Sequence, residues 1–204
     1  AKVCQTFLEN LVTRGFRGEQ GLLCVIDGSK GLRKAALAVF GGQVLIQRCQ
    51  WHKRENVVEH LSKDLKAEYR RKLQAAYEQP TYEQAKQALG RVRRELVPIN
   101  LSAVASLEEG LEETLTLHRL GLFRQLHRSF KTANCMESIM SQVEQKTAKV
   151  DYWRNSEQKQ RWAATVLLDL EPRLHKVNGH AHLSQLRVAV QKELKIVTSK
   201  PIAA

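Results

Sequence analysis

The 204-residue sequence predicts an α/β protein interrupted by an all-helical insertion and completed by C-terminal helices. Three observations carry this. The apolar run Gly21-Leu-Leu-Cys-Val-Ile stops abruptly at Asp27, as a buried strand does when it reaches the rim of a sheet. A second short run, Gln43-Val-Leu-Ile-Gln47, follows after one helix-length segment, so the two strands should lie parallel. Residues 53–126 then change texture, becoming rich in Glu, Lys, Gln, Arg, Leu and Ala with no strand pattern.

Taken in order, residues 2–14 place Val3, Phe7, Leu8 and Leu11 at helical spacing, and Gly15 stops the run. The strand to Asp27 comes next. Residues 31–40 repeat the helical pattern with Leu32, Ala35, Ala36 and Val39, broken by Gly41 and Gly42. The second strand runs into Arg48-Cys49. The helical stretch is punctuated near Pro80, Gly90, Pro98 and Gly110, which predicts several amphipathic helices. Asn134 opens a helix to about Lys149 with Met136, Ile139, Met140 and Val143 on one face. A helix from 157 to 170 ends at Pro172, residues 177–182 form a turn, and residues 183–194 a last helix. The predicted parts are 1–54 (helix-strand-helix-strand), 55–126 (helical insertion), 127–150 (closing helix) and 151–204 (C-terminal helices).

Lys and Arg outnumber Asp and Glu by 33 to 21, a net charge of +12 spread along the chain, which favours a polyanionic partner, nucleic acid above all. Cys4, Cys24, Cys49 and Cys135 are too widely spaced for a disulfide framework, which suits a reducing cytoplasm. No signal peptide stands at the N-terminus and no apolar run approaches a membrane span. The chain starts without Met inside a helical pattern, as a piece of a longer protein would.

Four features bear on chemistry. Asp27 sits where sheet rims present carboxylates. Glu137 lies at the edge of its helix's apolar face; it either reaches a metal or closes a capping box with Asn134. Cys49-Gln-Trp-His52 has two zinc-type ligands but no second pair to complete a tetrahedral site, so a structural bridge is the better reading. Gly28-Ser-Lys-Gly31 resembles a phosphate cradle in composition, yet it lacks the P-loop pattern and carries Asp27 beside it.

The order Asp27-Gly, Arg48-Cys49-Gln-Trp-His52-Lys53-Arg54-x-Asn56-Val57, His118-Arg-Leu-Gly-Leu122, Asn134-Cys-Met-Glu137-Ser, Tyr152-Trp153-Arg154 and Val177-Asn-Gly-His180 resembles the C-terminal part of the catalytic region of bacterial mutator-type transposases. The resemblance implies a partial RNase H-like fold carrying an Asp-Asp-Glu triad for two divalent metals, Mg2+ or Mn2+. Asp27 matches the second Asp, Glu137 the Glu, and Cys49 and His52 the C-x-x-H motif. It also implies double-stranded DNA (element ends and target) as partner, at least a homodimer on DNA, and a bacterial, nucleoid-associated location. Arg48, Lys53, Arg54, Arg128, Lys131 and Arg154 are the expected phosphate contacts. Residues 1–26 contain no Asp, so the family's first carboxylate has no counterpart in the sequence and the isolated chain is expected not to cleave DNA. Two other readings stay open: a non-catalytic basic nucleic-acid-binding protein, and a nucleotide-binding α/β protein using Gly28 to Gly31.

Overall fold

The computed structural model describes residues 2–196. Two parallel strands, β1 (Leu22–Ile26) and β2 (Val44–Arg48), pair in register from Leu22 opposite Val44 to Ile26 opposite Arg48. They are joined through α2 (Lys30–Phe40) and a 3-10 turn, Gly41–Gln43. The crossover helix is what makes them parallel, since a tight hairpin can only reverse the chain. Ser29 starts α2 by accepting a hydrogen bond from the Leu32 amide, 3.3 Å.

Alternate residues of the strands face opposite sides. On one side Ile26, Val44 and Ile46 pack with Ala36 and Phe40 of α2, and Leu8 of α1 (Lys2–Thr13) adds to that cluster. Helix α1 rests on α2 but buries no residue fully, and Val3 is 84% exposed. On the other side Leu23 and Leu45 meet Leu117, Leu122, Phe123, Leu126, Leu186 and Val190.

The stretch after β2 folds into α3 (Gln50–Glu59), α4 (Lys63–Tyr77), α5 (Tyr82–Leu96) and α6 (Leu101–Glu108). Thr81 and Asn100 cap α5 and α6 by accepting from the Gln84 and Ala103 amides. These helices enclose the largest core, in which Val57, Leu73, Leu89, Leu96 and Leu107 are fully buried. Two short turns, α7 (Leu111–Thr114) and α8 (Thr116–Arg119), return the chain to the sheet. There Thr116 Oγ1 donates to the Ile46 carbonyl (2.6 Å), Gln47 Nε2 donates to the Thr114 carbonyl (2.9 Å), and Gln47 Oε1 accepts from the Leu117 amide (2.8 Å). A helical segment thus takes up polar groups along β2, where a sheet would use a further strand. His118 is buried, stacks on Phe123 at 3.7 Å, and has Nε2 within 3.2 and 3.0 Å of the Tyr77 and Gln79 carbonyls. Nε2 therefore carries the proton. Burial holds the ring's pKa below the usual histidine value, outweighing those two carbonyls.

Helix α9 (Phe123–Phe130) leads to α10 (Asn134–Thr147), which packs on α11 (Ser156–Leu170) through Ile139, Val143, Val166 and Leu170. The closing helix α12 (Leu183–Glu193) returns to the sheet. Its approach turns on Gly179, with φ +81°, where an added Cβ would stand 2.2 Å from the Gln125 carbonyl oxygen. Gly179→Ala should lower stability by at least about 2 kcal/mol, because both the left-handed backbone and a backbone clash oppose it. Urea denaturation checks this, and an unchanged midpoint would count against the tight α9–α12 approach.

The α/β class holds in its coarse form, a small parallel sheet within a mostly helical chain. The expected apolar face of α10 is corrected. Met136 and Met140 are exposed, because α11 covers only the Ile139–Val143 side.

Candidate active site

Both strands deliver their C-terminal ends to one rim. The Cys49 amide donates to the Ile26 carbonyl at 2.7 Å, so Asp27 and Cys49 leave the sheet side by side. Asp27 is exposed, and its Oδ1 accepts from the Ser29 amide at 2.9 Å. That bond orients the carboxylate while leaving its lone pairs open to solvent and ligand. Gly28, with φ +111°, lets the turn pass close over Arg48; an added Cβ there would lie 2.7 Å from Arg48 Nε. The Gly28–Gly31 segment is thus a strand-to-helix turn, with Ser29 engaged in capping α2.

Glu137 reaches the same neighbourhood from α10. The lead-in to that helix is fastened to the start of α3 at two points: the Gln50 amide donates to the Lys131 carbonyl (2.9 Å) and the Ala133 amide donates to Cys49 Sγ (3.4 Å). Cys49 Sγ in turn lies 3.2 Å from His52 Nδ1. The other ring nitrogen of His52 stands 3.7 Å from Glu137 Oε1, within ion-pair range though longer than a hydrogen bond. The Cys49–His52 pair therefore bridges β2 to the lead-in of α10. Among the described residues, no group of three His, Cys, Asp or Glu is placed to hold a metal ion.

The capping-box reading of Asn134 and Glu137 is corrected. Ala133 is the N-cap, no side chain caps the helix, and Asn134 already lies in its first turn. The clamp on residues 131–133 sets where the helix begins, which takes Asn134 out of the capping position. Glu137 is left without a bond back to the backbone among the described residues, and its carboxylate is half-exposed beside His52.

Two of the expected phosphate contacts are placed elsewhere. Lys53 is 1% exposed and Arg48 6%. Lys53 Nζ donates to the carbonyls of Ser106 (2.6 Å) and Glu109 and lies 3.1 Å from Glu109 Oε2. Arg48 Nη1 bonds the Glu109 carboxylate at 2.5 Å and its carbonyl at 3.1 Å. Burial, then the neighbouring Arg48, lowers the Lys53 pKa; Glu109 offsets part of this. Burial pushes Glu109 up, but hydrogen bonds from Lys53 and Arg48 prevail and hold it below the usual carboxylate range. These cations tie β2 and α3 to the end of α6 and are turned away from any phosphate. Arg54 is drawn to Glu55 and Gln74, and Lys131 to Glu78. Arg128 and Arg154 are exposed and form no ion pair among the described residues.

Charge is also divided unevenly. Residues 1–54 carry nine Lys and Arg against three Asp and Glu, and residues 127–204 thirteen against seven; residues 55–126 have eleven of each. The two outer segments hold the whole excess of +12, six each, and the helical insertion between them is neutral. No helix among the described residues is long and apolar enough to cross a membrane.

With this geometry in place, similarity to known proteins is informative. A family model described as "Transposase, Mutator family" matches residues 1–176. The transposase for insertion sequence element ISRM5 of Rhizobium meliloti (strain 1021) is 26% identical over 181 residues, 89% of this chain and 44% of that protein. The transposase for insertion sequence element IS256 in transposon Tn4001, from Staphylococcus aureus and from Enterococcus faecalis (strain ATCC 700802 / V583), is 27% identical over 167 residues, 81% of this chain and 41% of the relative. The chain spans less than half the length of the curated relatives it matches.

Proposed function

The chain belongs to the Mutator family of transposases, and on that premise we propose that it supplies Asp27 and Glu137 to a divalent-metal site that cuts and joins DNA at insertion-sequence ends. The observation that carries this is the convergence of the β1 rim and the first turn of α10, held together through Cys49 and His52. The donor set suits Mg2+ or Mn2+: both groups are hard, solvent-accessible carboxylates, and Mg2+ is commonly held by one or two carboxylates, waters and substrate phosphates. When bound, two such metals stabilise the entering and leaving oxygens of an in-line displacement at phosphorus.

The chain's own residues do the rest. Asp27 is aimed by the Ser29 amide, and Glu137 by the clamp on the lead-in to its helix. Arg128 and Arg154 offer positive charge to the DNA backbone. The reaction is hydrolytic nicking of element ends followed by attack of the freed 3′-hydroxyl on target DNA, with two ends paired by at least a dimer. Residues 1–26 contain no Asp, so no element ahead of Asp27 presents the first carboxylate of an RNase H-like triad. The 204-residue chain alone is thus expected to bind DNA without nicking it.

Duplex DNA binding by the chain tests this. Millimolar Mg2+ at constant ionic strength should tighten binding relative to EDTA by about threefold or more, since a metal between carboxylate and phosphate turns repulsion into attraction. The doubly substituted Asp27→Asn, Glu137→Gln chain should bind more tightly than wild type in EDTA and lose the metal effect. A metal effect of unchanged size in that variant would overturn the assignment. It would favour a basic nucleic-acid-binding protein without a metal site.

A further inference from the structure

Helix α3 turns Gln50, Lys53, Val57 and Val58 inward, so Trp51, two turns before Val58, stands at the edge of that face and His52 on the outer side. Trp51 is 41% exposed and belongs to none of the core clusters. Its one ring neighbour among the described residues is His52, met edge-on at 4.9 Å between centroids with an interplanar angle of 89°. Trp162 is as open, at 40%, and meets Trp153 edge-on; what distinguishes Trp51 is its place beside His52 and Glu137. An indole left this open forgoes much of the stabilisation that burial gives so large a side chain.

Its position supplies a reason. Trp51 is two residues from Cys49, which leaves the sheet beside Asp27, and one from His52, whose ring faces Glu137. An exposed aromatic face beside a site that handles phosphodiesters can stack an unpaired nucleobase, and every base offers a π-face whatever its sequence. A cut breaks no base pair by itself, but a base at a frayed or staggered end costs less to take out of the stack than one inside an intact duplex. We infer that Trp51 is a stacking platform for an unpaired nucleobase beside the scissile phosphodiester, a base-binding subsite on the rim that carries Asp27 and Glu137. This rests on the DNA reading above. It adds that single-stranded extensions, not blunt duplex, are the preferred ligand of the rim.

Replacing Trp153 and Trp162 by Phe leaves Trp51 as the single tryptophan of the chain and makes its emission the reporter. The probes are a blunt duplex and the same duplex with a four-nucleotide 3′ extension. The extended DNA should quench Trp51 emission by roughly half or more, and the blunt duplex should leave it nearly unchanged. Trp51→Ala should weaken binding of the extended DNA about tenfold while blunt-duplex binding stays within about twofold, and Trp51→Phe should retain most of the preference. Equal emission changes with both probes, or none with either, would overturn the subsite. So would a Trp51→Ala chain that keeps its preference for the extension. The metal response of Asp27 and Glu137, read on blunt duplex, reports separately on the underlying reading. A lost subsite with an intact metal response would thus leave the transposase assignment standing.

Discussion

A family-length transposase carrying this segment should lose metal-dependent nicking of its element ends by about a thousandfold or more when Asp27 is changed to Asn or Glu137 to Gln. Both changes keep the shape of the side chain and remove its charge. A carboxylate that helps hold metal at the reacting phosphate secures several kcal/mol of transition-state charge stabilisation, and about 4 kcal/mol corresponds to about a thousandfold in rate. Binding of the DNA should survive, since Arg128 and Arg154, the proposed phosphate contacts, are left in place. The structure separates the two positions in one respect. Asp27 Oδ1 also accepts from the Ser29 amide, so Asp27→Asn keeps that acceptor, whereas Asp27→Ala loosens the turn into α2 as well. Asn is therefore the cleaner test. Nicking within tenfold of wild type in either the Asn or the Gln variant would remove that residue from the catalytic set.

What could be read from sequence was what depends on near neighbours. The strand that stops at Asp27 and the glycines around α2 have local causes, and the helices from Asn134, Ser156 and Leu183 begin within a residue of where their patterns place them. The clamp was half legible. Cys49 and His52 stand out as a spaced pair, yet that they fasten residues 131–133 is a contact across about 80 positions that no periodicity encodes. The same distance hid the cap of α10: Asn134 and Glu137 have capping-box spacing, but with the clamp in place the cap is Ala133. Arg48 and Lys53 misled for a related reason. A basic residue in a motif reads as a phosphate contact until the fold lays Glu109 over it, 56 positions on from Lys53. Trp51 was visible within its motif, and only its exposure beside His52 sets it apart from a core aromatic.

The Glu109 junction itself should be among the most sensitive positions in the chain. Its carboxylate and carbonyl together face Lys53 and Arg48, both nearly excluded from water. Removing one partner of a buried ion pair typically costs about 3–5 kcal/mol, because the other charge stays desolvated and uncompensated. Glu109 is itself half-exposed, and Lys53 keeps the Ser106 and Glu109 carbonyls, so the lower end applies. Glu109→Ala should therefore destabilise the chain by about 3 kcal/mol, read as a shift in urea midpoint at unchanged slope. If the cost arises from stranded cations and not from lost packing, it should shrink when one cation is removed first. In a Lys53→Met background, Glu109→Ala should cost at least about 1 kcal/mol less than in wild type, a coupling within the range for residues in one ion-pair network. Strict additivity of the two substitutions would mean that Glu109 stabilises α6 by some other route. The coupling bears on function as well, since Arg48 ends β2 next to Cys49 and packs beneath Gly28. A chain that loses this anchor should also lose the metal response at Asp27 and Glu137 before it unfolds, because the rim is where β2, α3 and the turn after β1 are held together.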